Sequence, residues 1–156
     1  MIKNIQNEIE RSIKIKESVL NDSKIISKIK SLSLEVLESL KCGGKIIFCG
    51  NGGSFADSQH LAAEFVSKLR FDRLPLASIA LGTNNSNLTA ISNDYGFDDV
   101  FSREIFALGN EKDIFIPIST SGNSPNIIKA IKSAKEKNIK VFGLSGKDGG
   151  KMKNLC

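Results

Sequence analysis

Apolar residues recur every three or four positions through the first 40 residues: Ile5, Ile9, Ile13 and Val19, then Ile25, Ile26, Ile29, Leu32 and Val36-Leu37-Leu40. That spacing puts them on one face of an α-helix. Asn21-Asp22-Ser23 interrupts the pattern and offers N-caps for a second helix, which Cys42-Gly43-Gly44 ends. Then the pattern changes. Lys45-Ile46-Ile47-Phe48-Cys49 is a short apolar run of the kind buried in parallel sheets. Residues 76–81, 113–118 and 140–144 read as three more strands. Helical spacing predicts helices over 55–70, 85–92 and 98–108, and another from Pro125 to about Lys137. Strands alternating with helices imply parallel βαβ units. The expected fold is therefore α/β, a doubly wound parallel sheet preceded by N-terminal helices. The chain reads as one domain, 1–156, with helices over 1–41 and an α/β core over 45–156.

Composition narrows the classes. The 156 residues are 40% hydrophobic and 25% charged, which suits one packed core. No apolar run approaches the roughly 20 residues that cross a bilayer. The N-terminus, Met1-Ile2-Lys3-Asn4, alternates apolar with polar residues unlike a signal peptide. A cytoplasmic protein with no membrane partner is expected. Cys42, Cys49 and Cys156 are odd in number and form no C-x-x-C, so they read as reduced thiols. The net charge of +5 lies at the two ends: +3 over residues 1–30 and +6 over 129–156, against −4 between them. Tryptophan is absent and the one tyrosine is isolated, so the basic ends read as solvated helix faces and no nucleic-acid partner is expected.

In such sheets ligands bind at the carboxyl ends of the strands. Gly50-Asn51-Gly52-Gly53-Ser54 joins a strand to a helix there. A helix N-terminus presents unpaired N–H groups and partial positive charge, and so favours an anion. The loop lacks the G-x-x-x-x-G-K-[ST] and G-x-G-x-x-G patterns of nucleotide sites. Ser119-Thr120-Ser121-Gly122-Asn123-Ser124-Pro125 places four hydroxyls and an amide after another strand, with Ser124 positioned to cap the helix that Pro125 begins. Two such loops on one sheet edge point to a phosphate.

The helix after the first loop carries His60, the only histidine, and Glu64, four residues on and on the same face. A partly desolvated carboxylate there suits proton transfer between adjacent sugar carbons. His60 reads as a second base, a donor to a sugar oxygen, a metal ligand, or an ordinary helix-face partner of Glu64. A metal needs further ligands, and the sequence shows no obvious third, so a complete metal site within one copy is not expected.

Gly50–Ser54 with Ala56-Asp57-Ser58-Gln59-His60-Leu61-Ala62-Ala63-Glu64 closely resembles the start of the phosphoheptose isomerases, members of the sugar-isomerase (SIS) domain superfamily. Residues 90–97 (AISNDYGF), 118–126 (ISTSGNSPN) and 143–150 (GLSGKDGG) match further blocks of that family in order. The resemblance implies a flavodoxin-like SIS fold. It implies conversion of sedoheptulose 7-phosphate to D-glycero-D-manno-heptose 7-phosphate through an enediol, for heptose in bacterial surface polysaccharide such as lipopolysaccharide or capsule. It maps the phosphate site to Ser119, Ser121 and Ser124, with Thr120, Asn51, Gly52 and Ser54 lining the pocket and Asp94 on sugar hydroxyls. Glu64 would shuttle protons, and His60 and Glu64 would be ligands where the family binds zinc. It implies homotetramers with active sites between subunits, the N-terminal helices forming part of a subunit bundle. A non-catalytic sugar-phosphate sensor or protein-binding SIS module is the alternative.

Three departures stand out. The family continues into a last helix with a Gln and a His, its remaining metal ligands and partner base; these have no counterpart in this sequence, whose sole histidine is His60. The family's Arg four residues beyond the helix Glu is Lys68 here, with Arg70 nearby; Lys keeps the charge but not the planar fork. Gly82-Thr83-Asn84 stands where the family has Thr-Thr-Asp.

Overall fold

A computed structural model describes residues 1–156. The chain forms two compact units, Met1–Glu35 and Val36–Cys156. The first holds α1 (Ile2–Asn21) and the greater part of α2 (Ser23–Lys41). The break falls where the sequence puts it. Asp22 Oδ1 accepts from the Lys24 and Ile25 N–H groups at 2.8 and 3.1 Å, satisfying two orphan donors of α2. No residue of α1 is buried, and Ile5, Ile9 and Ile13 stay about half exposed.

The second unit is the predicted α/β core. Its elements are β1 (Ile46–Gly50), α3 (Gly53–Val66), β2 (Ser78–Ala80), α4 (Asn85–Tyr95), a 3₁₀ turn at Phe97–Asp99, and α5 (Val100–Leu108). Then come β3 (Ile114–Ser119), α6 (Pro125–Glu136), β4 (Lys140–Val141), β5 (Leu144–Ser145) and a second 3₁₀ turn at Gly150–Asn154. All strands are parallel, in the order β2-β1-β3-β4, with β5 pairing β3 beyond β4. Central β1 is buried along its whole length, as its apolar run requires. Phe115, Ile105, Ile127 and Ile131 fill the core beside it.

The structure corrects three boundaries. The helix expected over 55–70 stops at Val66, because residues 67–77 turn back to enter β2. The helix expected over 85–92 runs on to Tyr95 and ends at Gly96, whose φ of 92° suits glycine. The single strand expected over 140–144 is two short pieces in unbroken register. Their gap, Phe142–Gly143, lies opposite Ile116 and Pro117. The Ile114 N–H points to β1, so by alternation position 117 faces β4 and β5. Proline has no N–H to give there, and the ladder lapses.

At the amino edge of the sheet, Asp113 is 2% exposed and joins the starts of β1 and β3. Its carboxylate accepts from Lys45 N–H (2.9 Å), Lys45 Nζ (2.6 Å) and Asn110 N–H (2.8 Å).

Candidate active site

Strand order reverses between β1 and β3, the place where doubly wound sheets bind ligands. The loops leaving these two strands enclose a cavity of about 250 Å³ lined by Asn51, Ser54, Ile118, Ser119, Thr120, Ser121 and Ser124. The N-termini of α3 and α6 start at the same two loops. Gly52, at φ 56°, turns the chain from β1 into α3; it flanks the lining rather than joining it. The cavity lining offers hydroxyls and two helix N-termini, which suit an anion, and no Lys or Arg side chain.

Ser124 departs from its expected part. It stands at the N-cap of α6, but its side chain makes no capping bond; instead its Oγ lies 3.1 Å from Ser119 Oγ, across the loop. The loop is braced from outside by residues 146–152. Gly146 N–H donates to Thr120 O at 3.1 Å, Met152 N–H to Gly122 O at 3.1 Å, and Lys151 N–H to Asn123 Oδ1 at 3.1 Å.

His60 and Glu64 do share a face of α3: Nε2 of His60 is 3.5 Å from Oε1 of Glu64. They are not beside the serine cavity. α3 leaves the carboxyl edge of the sheet and runs back toward its amino edge, and ten residues separate Ser54 from Glu64, about 15 Å of helix axis. Glu64 lies where the chain turns into β2. Its carbonyl accepts from Arg73 Nη2 at 2.7 Å, the Phe65 carbonyl accepts from Arg73 Nη1 at 2.8 Å, and Leu76 N–H also donates to Phe65 O. Arg73 thus closes the carbonyl end of α3. A cleft of about 260 Å³ beside it is lined by Glu64, Phe65, Leu69, Arg70, Phe71, Arg73 and Leu76. Glu64 Oε2 is buried and has no hydrogen-bond partner. A buried carboxylate oxygen left unpaired costs free energy unless a ligand or partner group meets it.

One imidazole and one carboxylate are two donors, whereas a zinc site takes four ligands, of which catalytic sites draw three from protein. No third His, Cys, Asp or Glu gathers with them. His60 and Glu64 alone do not complete a zinc site within one copy, and the proton chemistry below rests on Glu64.

Asp94 lies in the last turn of α4, exposed, with Oδ1 accepting from Asn93 Nδ2 at 2.8 Å; it lines neither cavity. Sequence reading missed Asn126 and Glu104. Asn126 is buried against Asn51, and the pair exchange two hydrogen bonds. Glu104 is buried beneath Gly82, behind the loop that starts α4. A polar residue at an apolar helical position is the only signal for Glu104; for Asn126 the signal is its place one residue inside the helix that the serine loop starts.

The SIS domain family model matches residues 6–146. Phosphoheptose isomerase of Clostridium acetobutylicum is 52% identical over 152 residues, which span 97% of this chain and 78% of that protein. Phosphoheptose isomerase 2 of Campylobacter jejuni is also 52% identical, over 97% of this chain and 76% of its own. Among solved structures, a phosphoheptose isomerase from Francisella tularensis matches with a TM-score of 0.93 at 35% identity, over 99% of this chain and 80% of that one. The phosphoheptose isomerase from Neisseria gonorrhoeae matches with a TM-score of 0.88 at 42% identity, over 97% of this chain and 79% of that one.

Proposed function

This chain belongs to the phosphoheptose isomerases of the SIS domain family, and on that premise we propose that it interconverts sedoheptulose 7-phosphate and D-glycero-D-manno-heptose 7-phosphate. The observation that carries the chemistry is the unpartnered, buried Oε2 of Glu64. The Glu64 carboxylate takes the C1 proton of the ketose. The C1–H electron pair forms the C1–C2 double bond, and O2 takes a proton from water to give the enediol. Loss of the O1 proton to water then drives C1 to the aldehyde, and Glu64, its carboxyl proton exchanged with solvent, delivers a proton to C2. His60 Nε2, 3.5 Å from the other carboxylate oxygen, orients that carboxylate.

The phosphate sits between the β1 and β3 loops, on Ser119, Thr120, Ser121 and Ser124 with Asn51, Gly52 and Ser54 at its side. Asp94 meets sugar hydroxyls. About 15 Å of helix separates these loops from Glu64 in one chain. We therefore place Glu64 of one copy at the sugar end of a substrate whose phosphate is held by another. Support comes from the apolar stripe of α1, which this chain leaves uncovered and which suits assembly of copies, a homotetramer by resemblance. No helix is long and apolar enough to cross a membrane. A cytoplasmic setting and supply of heptose for surface polysaccharide belong to the same proposal.

The test is incubation with sedoheptulose 7-phosphate in deuterated water. The chain should form the aldose and incorporate solvent deuterium at C2. Glu64→Gln should slow this by about 10²–10⁴-fold while sugar-phosphate affinity changes little. Tight binding with neither turnover nor exchange would instead assign a sensor.

A further inference from the structure

We infer that Asn126 is a positioning residue, which sets the spacing of the two anion-binding loops by strapping its side chain to that of Asn51. The inference rests on the sugar-phosphate reading of the cavity.

One anion can be held by two loops only if their donors stay at one separation. The loops leave strands that are hydrogen-bonded neighbours up to the pair Gly50 and Ile118. Beyond that pair the backbones part, one into α3 and the other through the serines into α6. The amides of Asn51 and Asn126 close the gap. Asn51 Nδ2 donates to Asn126 Oδ1 at 2.9 Å, and Asn126 Nδ2 donates to Asn51 Oδ1 at 3.0 Å. The reciprocal pair is closed: each amide gives one hydrogen and takes one.

Asn126 is the anchored member. It is 2% exposed, and its Oδ1 also accepts from the Ile127 N–H at 2.9 Å, which fixes the amide plane to the first turn of α6. Asn51 is the member that reaches the cavity wall. The strap uses one Nδ2 hydrogen and one Oδ1 lone pair of Asn51 and so fixes where the rest of its amide points along that wall. Because α3 begins directly after Asn51 and α6 at Pro125, the strap also holds the two helix N-termini at one distance, both facing the same cavity. No sheet hydrogen bond can do this past Ile118, and the Ser119–Ser124 contact closes only one loop on itself.

The experiment is a double-mutant cycle on the full chain: wild type, Asn51→Ala, Asn126→Ala and the double variant. Each is assayed by calorimetric affinity for sedoheptulose 7-phosphate and for inorganic phosphate, by KM and kcat, and by thermal melting. Each single variant should weaken both affinities about tenfold and raise KM, with kcat within about twofold, and the double variant should be no worse than either single. If Asn126→Ala does not fold, Asn126→Asp replaces it in the cycle: it keeps the oxygen for Ile127 N–H and loses the donor to Asn51. Its added charge acts in both Asn51 backgrounds, so only the coupling reports the strap. Losses that add independently, or a lowered melting temperature with unchanged affinities, would overturn the inference. A wild type that binds neither ligand would overturn the sugar-phosphate reading itself, whereas strong wild-type binding unaffected at Asn126 removes the strap alone.

Discussion

The buried carboxylate of Glu104, on α5, closes on the backbone of Gly82: Oε2 accepts from the Gly82 N–H at 2.5 Å while the residue is 4% exposed. Oε1 faces Asn87 Nδ2 at 3.5 Å, so one carboxylate ties the turn after β2 to the first turn of α4. Gly82 has φ 79°, and a Cβ there would press on Phe101 and Phe55, which leaves the turn little freedom.

Burial pushes the Glu104 carboxyl above its ordinary range, and the bonds from Gly82 and Asn87 pull it back only in part. The sign follows. A raised carboxyl pKa in the folded state contributes stability below the ordinary carboxyl value, and that contribution is lost as pH rises through the folded value. Glu104→Gln removes the titration. Wild type minus variant stability, read from urea midpoints, should therefore decline as pH rises through and above the ordinary carboxyl range. A difference that grows with pH would mean that the two bonds outweigh desolvation.

If Glu64 of one copy serves the phosphate loops of another, two damaged chains should repair each other. Glu64→Gln removes the base, and Ser124→Asp puts a negative charge in the anion cavity. Each should be nearly inactive alone. Mixed after dissociation and reassembly, up to about a quarter of the sites inherit neither defect, given pairwise sharing and random mixing. Recovered turnover supports the shared site; activity no greater than the sum of the two parents means that one chain supplies both ends.

Gly122 sits in the serine loop at φ 65°, and a Cβ built on it would collide with the Gly149 carbonyl of the bracing segment. Gly122→Ala should therefore cost about 2 kcal/mol or more. It should also weaken phosphate binding, since the loop must withdraw from its brace. Melting and calorimetric titration with inorganic phosphate read the two effects separately.

The stripe of Ile5, Ile9 and Ile13 predicts an assembly surface. Replacing Ile9 and Ile13 with Glu should reduce the mass seen by light scattering and lower turnover in proportion. Both residues are half exposed in one copy, so the change should leave secondary structure intact. Unaltered mass would exclude this stripe from the assembly.

Much of this protein was legible locally. Periodicity marks the helices; apolar runs mark β1 and β3; Asp22 and Pro125 punctuate the helices because caps and proline act on their immediate neighbours. The serine cavity was legible for the same reason: βαβ order alone brings the loops after β1 and β3 to one sheet edge. Even the lapse between β4 and β5 has its cause in the sequence, at Pro117, but it needs the strand pairing to say which neighbour loses its donor. Partners distant along the chain were not legible. Asn51 meets Asn126 across 75 positions, Gly82 meets Glu104 across 22, and Ser124 turns from its helix to Ser119. A side chain's hydrogen-bond partner is decided by which groups packing brings within about 3 Å, and sequence spacing carries that information only within an element. The same limit governs Glu64. Helical spacing puts it on a face with His60, but only the direction of α3 across the sheet carries it to the edge far from the serine loop.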